Sequence, residues 1–281
     1  MTDLNTIGMV DSRDYDAVVK KLRKFFSDKG FIEIHTQSRL SILAACEDVY
    51  TIAMYNYAGQ VWPLPQTGQM WLEYELLKNP SLPGVFCVST SFRNEPNPVP
   101  GRHDLIFPMF EFELPGGMEV LIEMERELCH YLGFTGDFPR DTYQKICEKY
   151  GSESVEHKHE EQLQEDYNSS VFFLTDFPVE TSPFWNMAKN ADTTAKKVDV
   201  IIDGRETIGS AERSTDTESM REQFYTISSG GYAKTLFGQF TKKRVEEELE
   251  EFLKFKFFTR SGGGIGLTRL IRGMKNHRLL L

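Results

Sequence analysis

Two short apolar runs with an arginine at their junction constrain this chain most. Residues 84–92, Gly-Val-Phe-Cys-Val-Ser-Thr-Ser-Phe, and residues 107–114, Phe-Pro-Met-Phe-Glu-Phe-Glu-Leu, are too short for typical helices and rich in β-formers. The loop between them opens with Arg93-Asn-Glu95 and carries Arg102-His103. A second arginine, Arg269, follows the glycine-rich stretch 262–266, which reads as a turn at the mouth of an apolar segment. Guanidiniums held at the ends of regular elements suit bidentate, charge-assisted binding of phosphate or carboxylate oxygens.

The rest of the chain alternates helical and strand-like patterns. Residues 14–29 read as a helix capped by Asp14, with Val18, Leu22, Phe25 and Phe26 on one face and Gly30 as its stop. Residues 31–35 alternate like a strand. Helices are expected over 66–78, 118–132 and 241–258, the second ending at Gly133. Strands are expected over 171–174 and 198–202, the latter running into an Asp203-Gly204 turn. The polar stretch 151–170, with His157 and His159, reads as a solvated excursion. Strands interleaved with helices and several hairpin-like pairs predict an α+β fold on a mainly antiparallel sheet.

Composition narrows the function classes. A net charge of −10 is a poor footprint for a polyanion binder and argues against a stand-alone tRNA or DNA partner. No apolar run is long enough to span a membrane, and Met1 to Asn5 lacks the pattern of a signal peptide, so a cytoplasmic protein is expected. Cys46, Cys87, Cys129 and Cys147 are too scattered for a zinc site.

The segment around Arg93, Arg102 and His103, and the segment Gly-Gly-Gly-Ile-Gly-Leu-Thr-Arg269-Leu, resemble motifs 2 and 3 of the class II aminoacyl-tRNA synthetases. The helix, Gly30 and the following strand resemble motif 1, which usually builds a homodimer interface; Gln37 stands where the family normally has proline. The resemblance runs from about residue 14 to residue 272. It implies one catalytic domain over 1–281, with an antiparallel sheet flanked by helices and no anticodon-binding domain. It further implies ATP as substrate and an acyl-adenylate as product. By the same resemblance Arg93 and Glu95 belong to the ATP site, and Arg102 and His103 meet the outer phosphates. Phe107 and Arg269 would hold the adenine between them, a cation–π arrangement.

Val-Asp199-Val-Ile-Ile-Asp-Gly-Arg-Glu206 resembles the stretch that supplies magnesium ligands in the aspartyl and asparaginyl enzymes, a donor set suited to Mg2+. Ile-Gly-Ser-Ala-Glu-Arg213 resembles the segment whose arginine holds the substrate side chain. Glu47 and Gln69 resemble the residues that meet the α-ammonium. Leu72 stands where aspartyl enzymes place lysine, and Glu73 where asparaginyl enzymes place the glutamate that accepts from the amide. Three positions depart from the pattern: Thr268 and Ile106 replace usual glutamates, and Ser182 replaces a usual basic residue. The leading expectation is a ligase that adenylates aspartate and transfers it to ammonia, as the asparagine synthetases lacking an anticodon domain do. A synthetase paralogue activating asparagine and a non-catalytic ligand-binding relative are the alternatives.

Overall fold

A side-chain period of two along each strand gives this protein a sheet whose two faces differ in kind. The computed structural model describes residues 10–37, 40–43, 47–98, 104–181, 184–191 and 194–280. In chain order its elements are α1 (Ser12–Asp28), β1 (Ile32–Glu33), β2 (Met54–Tyr57), β3 (Gln60–Pro63), α2 (Gln69–Lys78), β4 (Val85–Phe92) and β5 (Ile106–Pro115). There follow α3 (Met118–Leu132), β6 (Arg140–Thr142), α4 (Tyr143–Tyr150), α5 (His157–Asp166), β7 (Val171–Pro178), β8 (Thr194–Ile202) and β9 (Arg205–Arg213). The series closes with α6 (Thr217–Thr226), α7 (Gly231–Phe240), α8 (Lys242–Leu253), β10 (Arg260–Gly266) and α9 (Leu267–Asn276). Eight strands form one sheet in the order β1-β4-β5-β10-β9-β8-β7-β6, and β2 and β3 form a separate hairpin. The large sheet is antiparallel apart from the β1–β4 and β6–β7 pairs, so the expected α+β architecture holds.

One face of the sheet is oily. Phe86, Phe110, Phe112, Val198, Val200, Ile208 and Ile265 pack there against α1, α3 and α9. Phe26 of α1 sits at the centre, its ring 5.1 Å from both Phe110 and Phe112. Each such fully buried side chain contributes on the order of 1.5–3 kcal/mol through removal from water. The opposite face is covered only in part. Leu72 and Leu76 of α2 pack on Val85 and Cys87 of β4, and a second core built from α2, α6, α7, α8 and Trp185 lies beside it. The middle of that face is left open, and the cleft described below is there.

Several expectations need correction. Asp14 does not cap α1; the Asp11 carboxylate accepts from the Arg13 and Asp14 amides at 2.8 and 3.2 Å. Asp14 is buried one turn in and accepts from Lys275 Nζ at 2.7 Å, which ties α1 to α9. The polar excursion 151–170 is largely exposed, as expected, but its middle, His157–Asp166, is a helix, α5. The His159 ring accepts the Glu156 amide in a capping box and stacks on Tyr150, so amphipathic packing outweighs the polar composition. Residues 262–266 are not a turn but the interior of β10. The helix expected over 241–258 ends at Leu253. α6 and α7 carry no strong periodic signal and were not anticipated as elements. Cys87, Cys129 and Cys147 are free thiols, whereas Cys46 lies outside the described residues. Among the described residues no helix is long and apolar enough to cross a membrane.

Under the oily face, Glu125 of α3 is fully buried and neither carboxyl oxygen has a hydrogen-bond partner. Burial pushes its carboxyl up to about 8, with the nearby Asp199 charge adding to the rise and the Ser210 hydroxyl opposing it. A raised carboxyl pKa stabilises the fold at low pH. That contribution is lost as pH climbs from the ordinary value of 4.5 toward about 8. Glu125→Gln is therefore expected to leave the melting temperature nearly unchanged in mildly acidic buffer and to raise it in alkaline buffer. Calorimetric melts across that range would show parallel curves if the side chain ionised normally.

Candidate active site

The site begins with missing side chains. β10 runs between β5 and β9, and its residues pair Gly262 with Glu113 and Ala211, and Gly264 with Glu111 and Gly209. A Cβ on Gly262 would lie 1.9 Å from Glu113 Oε2, and one on Gly264 would lie 2.6 Å from the terminal methyl of Met109. These glycines are in ordinary strand conformation, so their use is close approach rather than turning. Their flatness opens a cleft of about 370 Å³ over the centre of the sheet.

Arg93, Glu95, Phe107, Glu206 and Arg269 line this cleft, and so does Arg213. The Arg93 guanidinium lies 5.4 Å from the centre of the Phe107 ring, and its buried Nε has no hydrogen-bond partner. The Arg93 amide donates to the Leu105 carbonyl at 2.7 Å, which fixes the start of the loop. Arg269, in the first turn of α9, donates to the Glu206 carbonyl at 2.6 Å. Arg102 and His103 lie outside the described residues, as does Ser182.

Asp199 stands directly behind Gly209 rather than on the wall. A Cβ on Gly209 would be 3.0 Å from Glu206 Oε1 and 3.7 Å from Asp199 Oδ1. Glycine there thus lets two carboxylates converge, and Asp199 Oδ1 is buried without a partner. That donor pair fits a hard divalent cation sharing phosphate oxygens, and Asp199 and Glu206 would hold it. Among the described residues no third carboxylate, histidine or cysteine joins them. Instead Lys197, also facing the cleft, donates to Asp199 Oδ2 at 3.0 Å. Burial pushes Asp199 up to about 7, with Lys197 opposing and Glu206 adding to the rise. Burial also works to raise Glu206, but Lys197, Arg269, Arg93 and His157 outweigh it and hold this carboxyl low.

At the other end of the cleft Arg213 enters a buried ionic cluster. Its Nε and Nη2 donate to the two oxygens of Glu113, both at 3.3 Å, and Nη2 also reaches the Gly262 carbonyl at 3.2 Å. Glu73 accepts from Arg260 Nη2 at 2.5 Å and from Asn186 Nδ2 at 2.8 Å. Glu73, Glu113 and Arg260 are fully buried, and Arg213 is 1% exposed. Gln69 donates to Glu113 and, at 3.1 Å, to the Phe112 carbonyl. Burial lifts the Glu113 carboxyl to about 7, against the pull of Arg213 and Arg260.

The cluster thus brings Arg213 and Glu73 together, but Glu73 is fully buried and does not reach the cleft wall. Gln69 lies beneath the wall as well. Glu47 lines a separate small pocket with Gln37, Thr67 and Gly68. Glu111 anchors that segment by accepting from Thr67 Oγ1 and, at 2.8 Å, from the Gly68 amide. Lys197, Glu113, Asn186, His157 and Arg260 were missed from sequence. Glu111 and Glu113 did leave a signal: two acids at alternate positions inside an otherwise apolar central strand require buried partners.

Comparison with known proteins bears on what such a cleft does. The family model for tRNA synthetases class II (D, K and N) matches residues 13–278. The asparagine–tRNA ligase of Desulfotalea psychrophila is 23% identical over 98% of this chain and 68% of its own length. The lysine–tRNA ligase of Ectopseudomonas mendocina is 21% identical over 92% of this chain. This chain spans only 59% of that relative. Among solved structures, asparaginyl-tRNA synthetase from Pyrococcus horikoshii with asparaginyl-adenylate superposes with a TM-score of 0.76 at 19% identity. That match covers 93% of this chain and 64% of the other.

Removing one member of the buried cluster leaves its partner charged and unpaired. Arg260→Leu is expected to cost about 3–5 kcal/mol in denaturant unfolding. Adding Glu73→Gln should recover part of the loss, since the cost lies in the stranded carboxylate. Equal stability of the single and double variants would contradict this.

Proposed function

We propose that this chain, which belongs to the class II tRNA synthetases of the D, K and N group, is an ATP-dependent, adenylate-forming ligase acting on asparagine or aspartate. What supports the reading is that a single cleft carries Arg93, Phe107, Arg269 and Glu206, suited to phosphate and purine, together with Arg213, suited to a substrate side chain. In the proposed reaction a substrate carboxylate oxygen attacks the α-phosphorus of ATP. The new P–O bond forms as the bond to pyrophosphate breaks. Arg93 answers the negative charge that grows on the phosphoryl oxygens. Phe107 and Arg269 supply the flat and cationic surfaces for the purine. Bound Mg2+ would neutralise phosphate charge, with Asp199 and Glu206 as its protein ligands.

Charge balance at the side-chain end bears on the substrate. Glu73 and Glu113 together offset Arg213 and Arg260, so the ionic cluster is neutral when all four are charged. A neutral amide can meet Arg213 without disturbing that balance. A carboxylate brings an uncompensated charge into a buried site. These features favour asparagine, with the acyl group passed to a nucleophilic acceptor. The aspartate–ammonia reading rests on Glu113: a carboxyl raised to about 7 can take a proton and so make room for a substrate carboxylate.

ATP–pyrophosphate exchange separates the two readings. Exchange driven by asparagine should change little between pH about 6 and about 8, because the neutral amide needs no proton on Glu113. Exchange driven by aspartate should rise as pH falls through about 7, losing up to about tenfold per unit above it. Asparagine formation from aspartate, ATP and ammonium would establish the ligase reading. Silence with both amino acids would overturn adenylation of this substrate class.

A further inference from the structure

The carboxylate pair of the cleft already contains a cation that belongs to the chain. Lys197 and Asp199 are alternate residues of β8 and point to the same face, opposite Ala211 and Gly209 of β9. Those two small partners give the lysine stem room along the cleft floor. Its Nζ is 3.0 Å from Asp199 Oδ2 and 4.1 Å above the Phe177 ring, and its side chain is only 13% exposed. The ammonium is therefore held from two sides, by a carboxylate and by an aromatic face, and is not a freely swinging surface charge. It faces the same cleft as Arg93, Arg269 and Glu206.

We propose that Lys197 is a built-in cation of the Asp199–Glu206 pair, which lets the cleft bind a nucleoside triphosphate with little dependence on divalent metal. The inference rests on the nucleotide reading above. Its physical basis is local charge. Two converging carboxylates would repel a polyphosphate, and a cation must intervene before phosphate oxygens can approach. In this chain an ammonium fixed on one carboxylate supplies part of that neutralisation permanently. The remaining unpartnered oxygen, Asp199 Oδ1, still offers a place for metal, but the lysine positive charge beside it weakens metal affinity in the absence of nucleotide.

Two measurements on the full chain test this, using wild type, Lys197→Met and Lys197→Arg. Lys197→Met keeps an unbranched apolar stem against Phe177 while removing the charge. The first measurement is ATP affinity by calorimetry with magnesium and with excess chelator. Chelation should cost wild type and Lys197→Arg less than about threefold, and Lys197→Met at least about tenfold, restored by magnesium. The second is Mn2+ binding to the nucleotide-free protein by electron paramagnetic resonance. Wild type should lack a stoichiometric site and Lys197→Met should gain one. Stoichiometric Mn2+ on wild type, or equal chelator losses in wild type and Lys197→Met, would overturn the proposal. If no variant binds ATP, the nucleotide reading fails by itself, and the manganese measurement still decides whether the lysine occupies the pair.

Discussion

The pairing of Glu73 with Arg260 and of Glu113 with Arg213 is the interaction on which the rest of the site depends. Its four charged groups come from α2, β10, β5 and β9, so a single cluster fastens a covering helix to three adjacent central strands. None of these groups has meaningful contact with water. Stripping ions of water costs several kcal/mol each, and only mutual pairing with supporting hydrogen bonds offsets it. Asn186, Gln69 and the Gly262 carbonyl provide that support. The cluster adds little net stability compared with an apolar core of the same volume. What it provides is a guanidinium, that of Arg213, with its orientation fixed at the end of a cleft.

A second constraint follows from the sheet. The face that receives Phe26 is filled by aromatic and branched residues, and its opposite is levelled by glycine and alanine in β9 and β10. Packing on one side keeps the strands rigid, while absent side chains on the other leave room above them. The cleft is thus a property of strand alternation. Arg93, Glu206 and Arg269 stand at strand ends and on the first turn of α9, where the backbone is firmly held.

Much of this was readable in the residues. The hairpin around Arg93, the helix 118–132 with its left-handed Gly133 and the tight turn at Asp203-Gly204 carry local signals strong enough to survive tertiary context. β10 was misread because three successive glycines usually mark a turn. Here the requirement came from neighbouring strands, and no local pattern encodes a cross-strand clash with Glu113 or Met109. Glu73 was singled out only by likeness: its partner Arg260 is distant in sequence, so nothing local to the helix signalled its burial. The likeness of individual motifs picked out Arg93, Glu95, Phe107, Glu206, Arg213 and Arg269, which line the cleft. It could not reveal Lys197, whose role arises from a lysine and an aspartate two apart facing a neighbouring strand of small residues.

The place of β10 in the sheet has a consequence for how the protein is made. It is the last strand along the described chain, yet it sits in the middle, between β5 and β9. Until residues 260–266 leave the ribosome, the β1-β4-β5 group and the β9-β8-β7-β6 group share no strand ladder. Each presents an unpaired inner edge to solvent or to another nascent chain. The segment that finally joins them carries only one large apolar side chain, Ile265, so it contributes little driving force of its own. Closure therefore waits on two preformed edges aligning around a nearly bare backbone. Synthesis of this fold thus exposes it to mispairing until β10 itself is translated.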